Sequence, residues 1–124
     1  MMAEHPNAAA ARRATDAMQQ GDMQAMADFL ADDVVWHMIG STEPVRGKAA
    51  LQSAMSGADY QITGTVHDIV ANDDHTIVLA ENTATRGDRS LTYRTAEIMH
   101  IRDGKVVERW AFSDDTQAIN EFFA

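Results

Sequence analysis

Two hydrophobic periods divide this chain. Before Tyr60, apolar residues recur mostly three and four positions apart, the spacing of an amphipathic helix; after it they alternate with polar ones, the spacing of a half-buried strand. Pro6 and Asn7 precede an Ala-rich run, Ala8 to Gln20, which reads as a helix capped by Asn7 and stopped by Gly21. Asp22 then caps a second short helix whose Met23, Met26, Phe29 and Leu30 share one apolar face. Val34-Val35-Trp36-His37-Met38, β-branched and aromatic, predicts a first strand, and a loop from Gly40 to Gly47 containing Pro44 follows it. A third helix runs from about Lys48 to Met55, with Leu51 and Met55 four apart, and ends near Gly57.

The remainder predicts four strands and a closing helix. Tyr60 to Ala71 is a strand, Asn72-Asp73-Asp74 a turn, His75 to Arg86 a strand, and Gly87-Asp88 a hairpin turn into Leu91 to Ile101. A second hairpin turn at Arg102-Asp103-Gly104 leads into the last strand, and Ser113 or Asp114 caps a helix that buries Ala118, Ile119, Phe122 and Phe123. Helix, helix, strand, helix, four strands and helix make an α+β pattern in which a curved antiparallel sheet wraps around three N-terminal helices, with a short C-terminal helix.

Alternation places Leu91, Tyr93, Thr95, Glu97, Met99 and Ile101 on one face, together with Val78, Ala80, Asn82 and Ala84 of the preceding strand, so Glu97 is the single acid of a mostly apolar stripe. A three-residue turn with Gly104 in the left-handed conformation sets Ile101 against Lys105 and Glu97 directly opposite Arg109. A two-residue Asp-Gly turn sets Glu97 against Trp110 and sends Arg109 to the other face. The first register is preferred because it pairs the charges. In the last strand Val107, Arg109, Ala111 and Ser113 form one face, and Val106, Glu108, Trp110 and Phe112 the bulkier other. A sheet apolar on both sides needs two covers. Helices supply one and a second copy of the chain the other, which predicts a homodimer through the Trp110 face.

Composition narrows the function. With 124 residues the chain is long enough for one core and too short for two. A formal charge of −9 without any basic run argues against nucleic acid or an anionic membrane as partner and leaves neutral or cationic small molecules. The absence of cysteine removes disulfides, thiolate nucleophiles and Cys-based zinc sites. The N-terminal MMAEHPNAAAARRATD lacks the apolar core of a signal peptide, and no segment approaches the roughly 20 apolar residues of a membrane span, so a cytoplasmic protein is expected. Eight methionines fill irregular core space or line an adaptable apolar pocket.

The order of elements, with FLADDVVWHMIGSTEPVRGKAAL near the start and EIMHIRDGKVVERWAFSDD near the end, resembles the nuclear transport factor 2-like superfamily, and within it the SnoaL-like and ketosteroid isomerase-like branch. The likeness spans nearly the whole chain, so residues 1–124 read as a single SnoaL-like domain. It implies a cystatin-like, cone-shaped cavity between sheet and helices, and dimers packed through the convex side of the sheet. It also tests the chemistry position by position. The base carboxylate of ketosteroid isomerases would fall at Met38, or at His37 with a one-residue slip, and their Tyr near Ala14; the oxyanion acid alone has a counterpart, Glu97. The catalytic Asp of SnoaL-like cyclases and epoxide hydrolases would fall at Ala111.

The candidate catalytic residues are therefore Glu97, Arg109 and His67. A carboxylate in a partly dry cavity can serve as acid, base or polar anchor, with Arg109 orienting a substrate oxygen; the same two groups could equally be a buried salt bridge that satisfies itself. An adjacent Arg favours the ionised carboxyl, against a protonated donor role. His37, His67 and His100 all fall in strands, where a histidine is a proton shuttle or simply a hydrogen-bonded structural residue; His67 lies mid-strand in the sheet of the cavity. Trp36, Met38, Leu51, Met55, Asn82, Tyr93 and Met99 are expected to line the pocket or to fill ordinary core. The histidines are too scattered to suggest a metal, and no cofactor is expected. The function implied is a pocket for a small, largely apolar molecule, either a cofactor-independent isomerase, cyclase or hydrolase-like enzyme or a non-catalytic binding module or dimeric scaffold.

Overall fold

The computed structural model describes residues 4–124; the first three residues of the N-terminal segment, part of the leader reading above, lie outside the described residues. Helices α1 (Pro6–Gln19) and α2 (Met23–Phe29) lead into strand β1 (Leu30–Trp36), then β2 (Val45–Arg46), α3 (Lys48–Ser56), β3 (Gln61–Ala71), β4 (Thr76–Arg86), β5 (Arg89–Arg102), β6 (Lys105–Ser113) and α4 (Thr116–Phe123). The six strands form one curved sheet in the order β2-β1-β6-β5-β4-β3. Every pairing is antiparallel except β1 with β6, which is parallel. That parallel pair closes the fold: it sets the first long strand beside the last, with α3 and the whole β-meander between them in sequence.

Local chemistry moved several boundaries. Pro6 takes the first helical position, where its missing N–H costs nothing, so the cap is His5, whose Nδ1 accepts from the Asn7 amide at 3.1 Å, rather than Asn7. Leu30, placed by periodicity in α2, opens β1 and is buried. The loop expected between Gly40 and Gly47 contains β2, too short to show a period. Asp115 caps α4 through the Ala118 amide at 3.0 Å, because Asp114 is engaged with the backbone amide of Arg94 at 3.0 Å.

The hairpin that carries the expected charge pair differs in an instructive way. Arg102 pairs with Lys105 across a two-residue turn in which Asp103 (φ 54°) and Gly104 (φ 77°) are both left-handed, as a type I′ turn requires. The three-residue turn expected from sequence is thus corrected, and Glu97 lies opposite Ala111 rather than Arg109. Arg109 nonetheless stays on the Glu97 face, because Val107 is an extra residue between the Ile101–Val106 and His100–Glu108 pairs. The two-residue turn sets Val106 opposite Ile101 and so inward, where it is fully buried, and the bulge separates it from Trp110, with which alternation had grouped it.

The inner face of the sheet holds two apolar clusters. Ala8 and Ala11 of α1, Leu51 of α3 and Val34, Ile69, Val78, Met99 and Val106 of the sheet form the larger. Ala84 and Tyr93 with Ile119 and Phe122 of α4 form the smaller, which α4 covers. Arg86 anchors α4 by donating from Nη1 to the carbonyls of Phe122 and Ala124, both at 3.1 Å, so a cation meets the negative end of the helix dipole.

Candidate functional site

Between the clusters a polar strip crosses the inner face. Period-two alternation carries Tyr93, Thr95, Glu97 and Met99 inward from β5, and Asn82, Ala80 and Val78 lie opposite the first three of them on β4. Asn82 donates from Nδ2 to Thr95 Oγ1 at 2.9 Å. It lies over β3 at Gly64, where a Cβ would collide with the Asn82 amide oxygen, so the glycine makes room for it.

Arg109 and Glu97 meet as diagonal rather than direct neighbours: Arg109 lies opposite Met99, and its Nη2 reaches Glu97 Oε1 at 3.1 Å. The two side chains are unequally covered, Arg109 only 10% exposed and Glu97 31%. Arg109 also donates from Nη1 to the His37 carbonyl at 3.1 Å, and its guanidinium lies 4.3 Å from the centre of the Trp36 ring. Its Nε is buried without a protein partner. Arg109 is thus spent on Glu97, His37 and Trp36, whereas Glu97 keeps an accessible edge and free lone pairs. Burial raises the pKa of Tyr93 above that of an ordinary phenol, the nearby Glu97 carboxylate raises it further, and Tyr60 also contributes while Arg109 opposes; the phenol therefore remains a neutral O–H donor at physiological pH.

The other candidates are dispersed. Leu51 and Met99 are packed in the larger cluster, and Tyr93 in the smaller. Met55 is 51% exposed at the end of α3, and Met38 lies beyond the end of β1, 39% exposed. His67 is the extra residue of a bulge in β3, between the Val66–Ala80 and Asp68–Leu79 pairs, and is exposed two strands away from Glu97. Two groups of the site were not singled out by sequence. Thr95, the partner of Asn82, was visible in the same period-two stripe; the His37 carbonyl that holds Arg109 carries no signal, because any residue has one.

Two cavities flank α4. One, of about 420 Å³, is lined by Ala58, Asp59, Tyr60, Gln61, Thr85 and Gly87. The other, of about 320 Å³, lies among His37, Met38, Ile39, Gly40, Trp110, Phe112 and their neighbours at the start of α4. Neither includes Glu97 in its lining. Among the described residues no three His, Asp or Glu side chains group as a metal site requires, and no helix is long and apolar enough to cross a membrane.

A curved sheet of this order, closed by N-terminal helices and crossed by a polar strip, defines an α+β fold class, and comparison with known proteins gives the family. The SnoaL-like domain model matches residues 11–109, and the chain belongs to that family. Among solved structures it is similar to a protein of unknown function with a cystatin-like fold from Xanthomonas campestris, at 22% identity over 97% of this chain and 99% of that one, TM-score 0.85. An NTF2-like protein of unknown function from Burkholderia pseudomallei gives 16% identity, 95% and 97% coverage and a TM-score of 0.82. A LEH-like epoxide hydrolase of M. tuberculosis gives 16% identity, 92% and 86% coverage and a TM-score of 0.76. At such identities the likeness establishes the fold, which is NTF2-like, and leaves the chemistry to the residues. No curated protein is significantly similar in sequence.

Proposed function

We propose that the protein takes up a small, largely apolar molecule against the inner face of its sheet and acts on it without a cofactor, with Glu97 as the acid/base or polarising group. The observation that carries this reading is the unequal burial of one ion pair: Arg109 is enclosed with both terminal nitrogens bonded, while the Glu97 carboxylate it tethers remains one-third open. A carboxylate so held is oriented by its neighbour and free to accept a proton or a hydrogen bond. Arg109 is a positioning residue in this scheme, with no substrate contact. Tyr93 and Asn82, on the same face, can offer O–H and N–H donors to an oxygen of the ligand. The chain's charge of −9 favours a neutral or cationic occupant. Exposed on its bulge, His67 has no part in this step.

A second reading, a binding module without turnover, is favoured by one observation: Leu51, Val34 and Val106 close the larger cluster completely, and Glu97 lines neither cavity. The two separate in a pH profile of turnover on a panel of enolisable ketones and epoxides, for wild type and Glu97→Gln. Loss of a positioned proton acceptor is expected to cost about 10²- to 10⁴-fold in rate. Activity indifferent to the substitution removes Glu97 from catalysis, and saturable binding without turnover in either protein supports the module.

The outer face supports the homodimer reading. Phe112 is 59% exposed there and continues into Trp110, an apolar surface of the kind a second copy covers.

A further inference from the structure

Five histidines punctuate the sequence, and three of their rings gather on the outer face of the sheet, opposite the site. His37 follows the last residue of β1. Its Nε2 lies 2.8 Å from Glu108 Oε2, and its ring stacks on Trp110 with centroids 5.2 Å apart and planes within 5°. His100 meets the edge of Trp110 at 5.2 Å, and His75, from the β3–β4 turn, meets His100 at 4.6 Å. On its other side His37 grips Arg109 twice through its backbone: its N–H donates to the Arg109 carbonyl at 2.8 Å, and its carbonyl accepts Arg109 Nη1 at 3.1 Å. One residue therefore holds Glu108 and Trp110 outside and Arg109 inside.

We infer that His37 is a positioning residue for the Glu97–Arg109 pair and couples that pair to protonation on the outer face of the sheet. The inference rests on the function proposed above only in its value to the protein; the link itself is a matter of geometry. The His37 side chain is 31% exposed, so protons reach it. The groups that face it are Glu108 and Trp110 of β6, His100 of β5 beyond Trp110, His75 beyond His100, and Arg46 of β2, which pairs with Val35 two residues earlier. Protonation adds a positive charge to the ring's contact with the Glu108 carboxylate and turns that hydrogen bond into an ion pair, which is shorter and stronger. His37 is the last sheet-bonded residue of this segment before the chain leaves for the loop, so a pull on its ring is transmitted to its carbonyl rather than spread along a strand. Arg109 Nη1 bonds to that carbonyl, and Arg109 Nη2 to Glu97.

The test needs no substrate. In the full-length ¹⁵N-labelled chain, the imidazole resonances of His37, His75 and His100 and the side-chain resonance of Arg109 are followed by NMR across the acid side of neutrality. The Arg109 signal is expected to move with the midpoint of His37 and with no other histidine. In Glu108→Gln the ring meets a neutral amide, and whatever midpoint His37 then shows, Arg109 is expected to share it. In His37→Phe, which keeps an aromatic ring on Trp110 and the backbone bonds, the movement is expected to vanish. A flat Arg109 signal through the His37 titration, a midpoint that stays behind when that of His37 moves, or an undiminished response in His37→Phe overturns the proposal; should the Phe variant not fold, the Glu108→Gln comparison decides alone. Such a result leaves a role for Glu97 in turnover untouched, just as indifference of turnover to Glu97→Gln leaves this link untouched.

Discussion

Breaking the Glu97–Arg109 pair from its two ends should have unequal costs. In Glu97→Ala the Arg109 guanidinium keeps only the His37 carbonyl and the Trp36 ring while nine-tenths covered. A charge left unpaired in a fully buried pair costs about 3–5 kcal/mol, and a charged hydrogen bond lost where water can reach costs about 1.5–3 kcal/mol. Since Glu97 is 31% exposed, its removal admits water toward the guanidinium, which places the cost in the upper part of the second range, about 2–3 kcal/mol. Arg109→Met deletes more contacts but leaves a carboxylate that water already reaches; it also removes the buried, unpartnered Nε and keeps apolar contact with Trp36, so about 1 kcal/mol is expected. The difference of 1–2 kcal/mol corresponds to roughly 5- to 30-fold in the folding equilibrium and is read as a shift in urea midpoint at constant slope. Because one partner is buried, most of the difference should persist in about 1 M salt, where surface pairs are screened. If Arg109→Met proved as destabilising as Glu97→Ala, or more so, the idea of an enclosed cation that depends on a half-open carboxylate would be refuted.

Two further outcomes follow from the same structure. The folded state holds the Tyr93 phenol neutral above its ordinary value, so between about pH 10 and the raised value the unfolded chain loses a proton that the folded one keeps, and stability falls as pH rises. Tyr93→Phe should therefore lose less stability than wild type between pH 8 and pH 11 in urea titrations, and equal alkaline losses would count against the buried phenol. If a second copy covers the outer face, Phe112→Asp should lower the mass seen by light scattering from twice the 13.6 kDa chain to one chain without changing the far-UV spectrum. A wild-type protein already monomeric at micromolar concentration would exclude that cover.

The parts of this fold that could be read from sequence are those fixed by local periodicity. Gly87-Asp88 is the two-residue turn that its composition announces, and it places Val78 opposite Glu97, as counting by twos requires. Asp103-Gly104 carries an equally clear signal for a two-residue turn, but direct pairing of Glu97 with Arg109 requires another register. The bulge at Val107 reconciles the two, and no residue type marks it: a bulge is a choice of hydrogen-bond partners. The parallel alignment of β1 with β6 depends on residues far apart in the chain, which no window of periodicity contains. The site was legible to the same extent. Glu97, Asn82 and Tyr93 share a face because alternation requires it, and Arg109 joins them only through the bulge, whereas Leu51 and Met99 turn out to fill core because helix and sheet close on each other there, a fact of packing.

The surplus residue at Val107 also changes what counts as an equivalent position. Without it, Ile101–Val106 and His100–Glu108 would be consecutive rungs, and Arg109 would still sit opposite Met99. A relative with one residue fewer in this hairpin can therefore present the same guanidinium to the same carboxylate, while one of equal length and a regular ladder turns it outward and brings its neighbour in. Residue counts from the Asp-Gly turn thus cannot identify the inward cation in such chains; the parity of the ladder does.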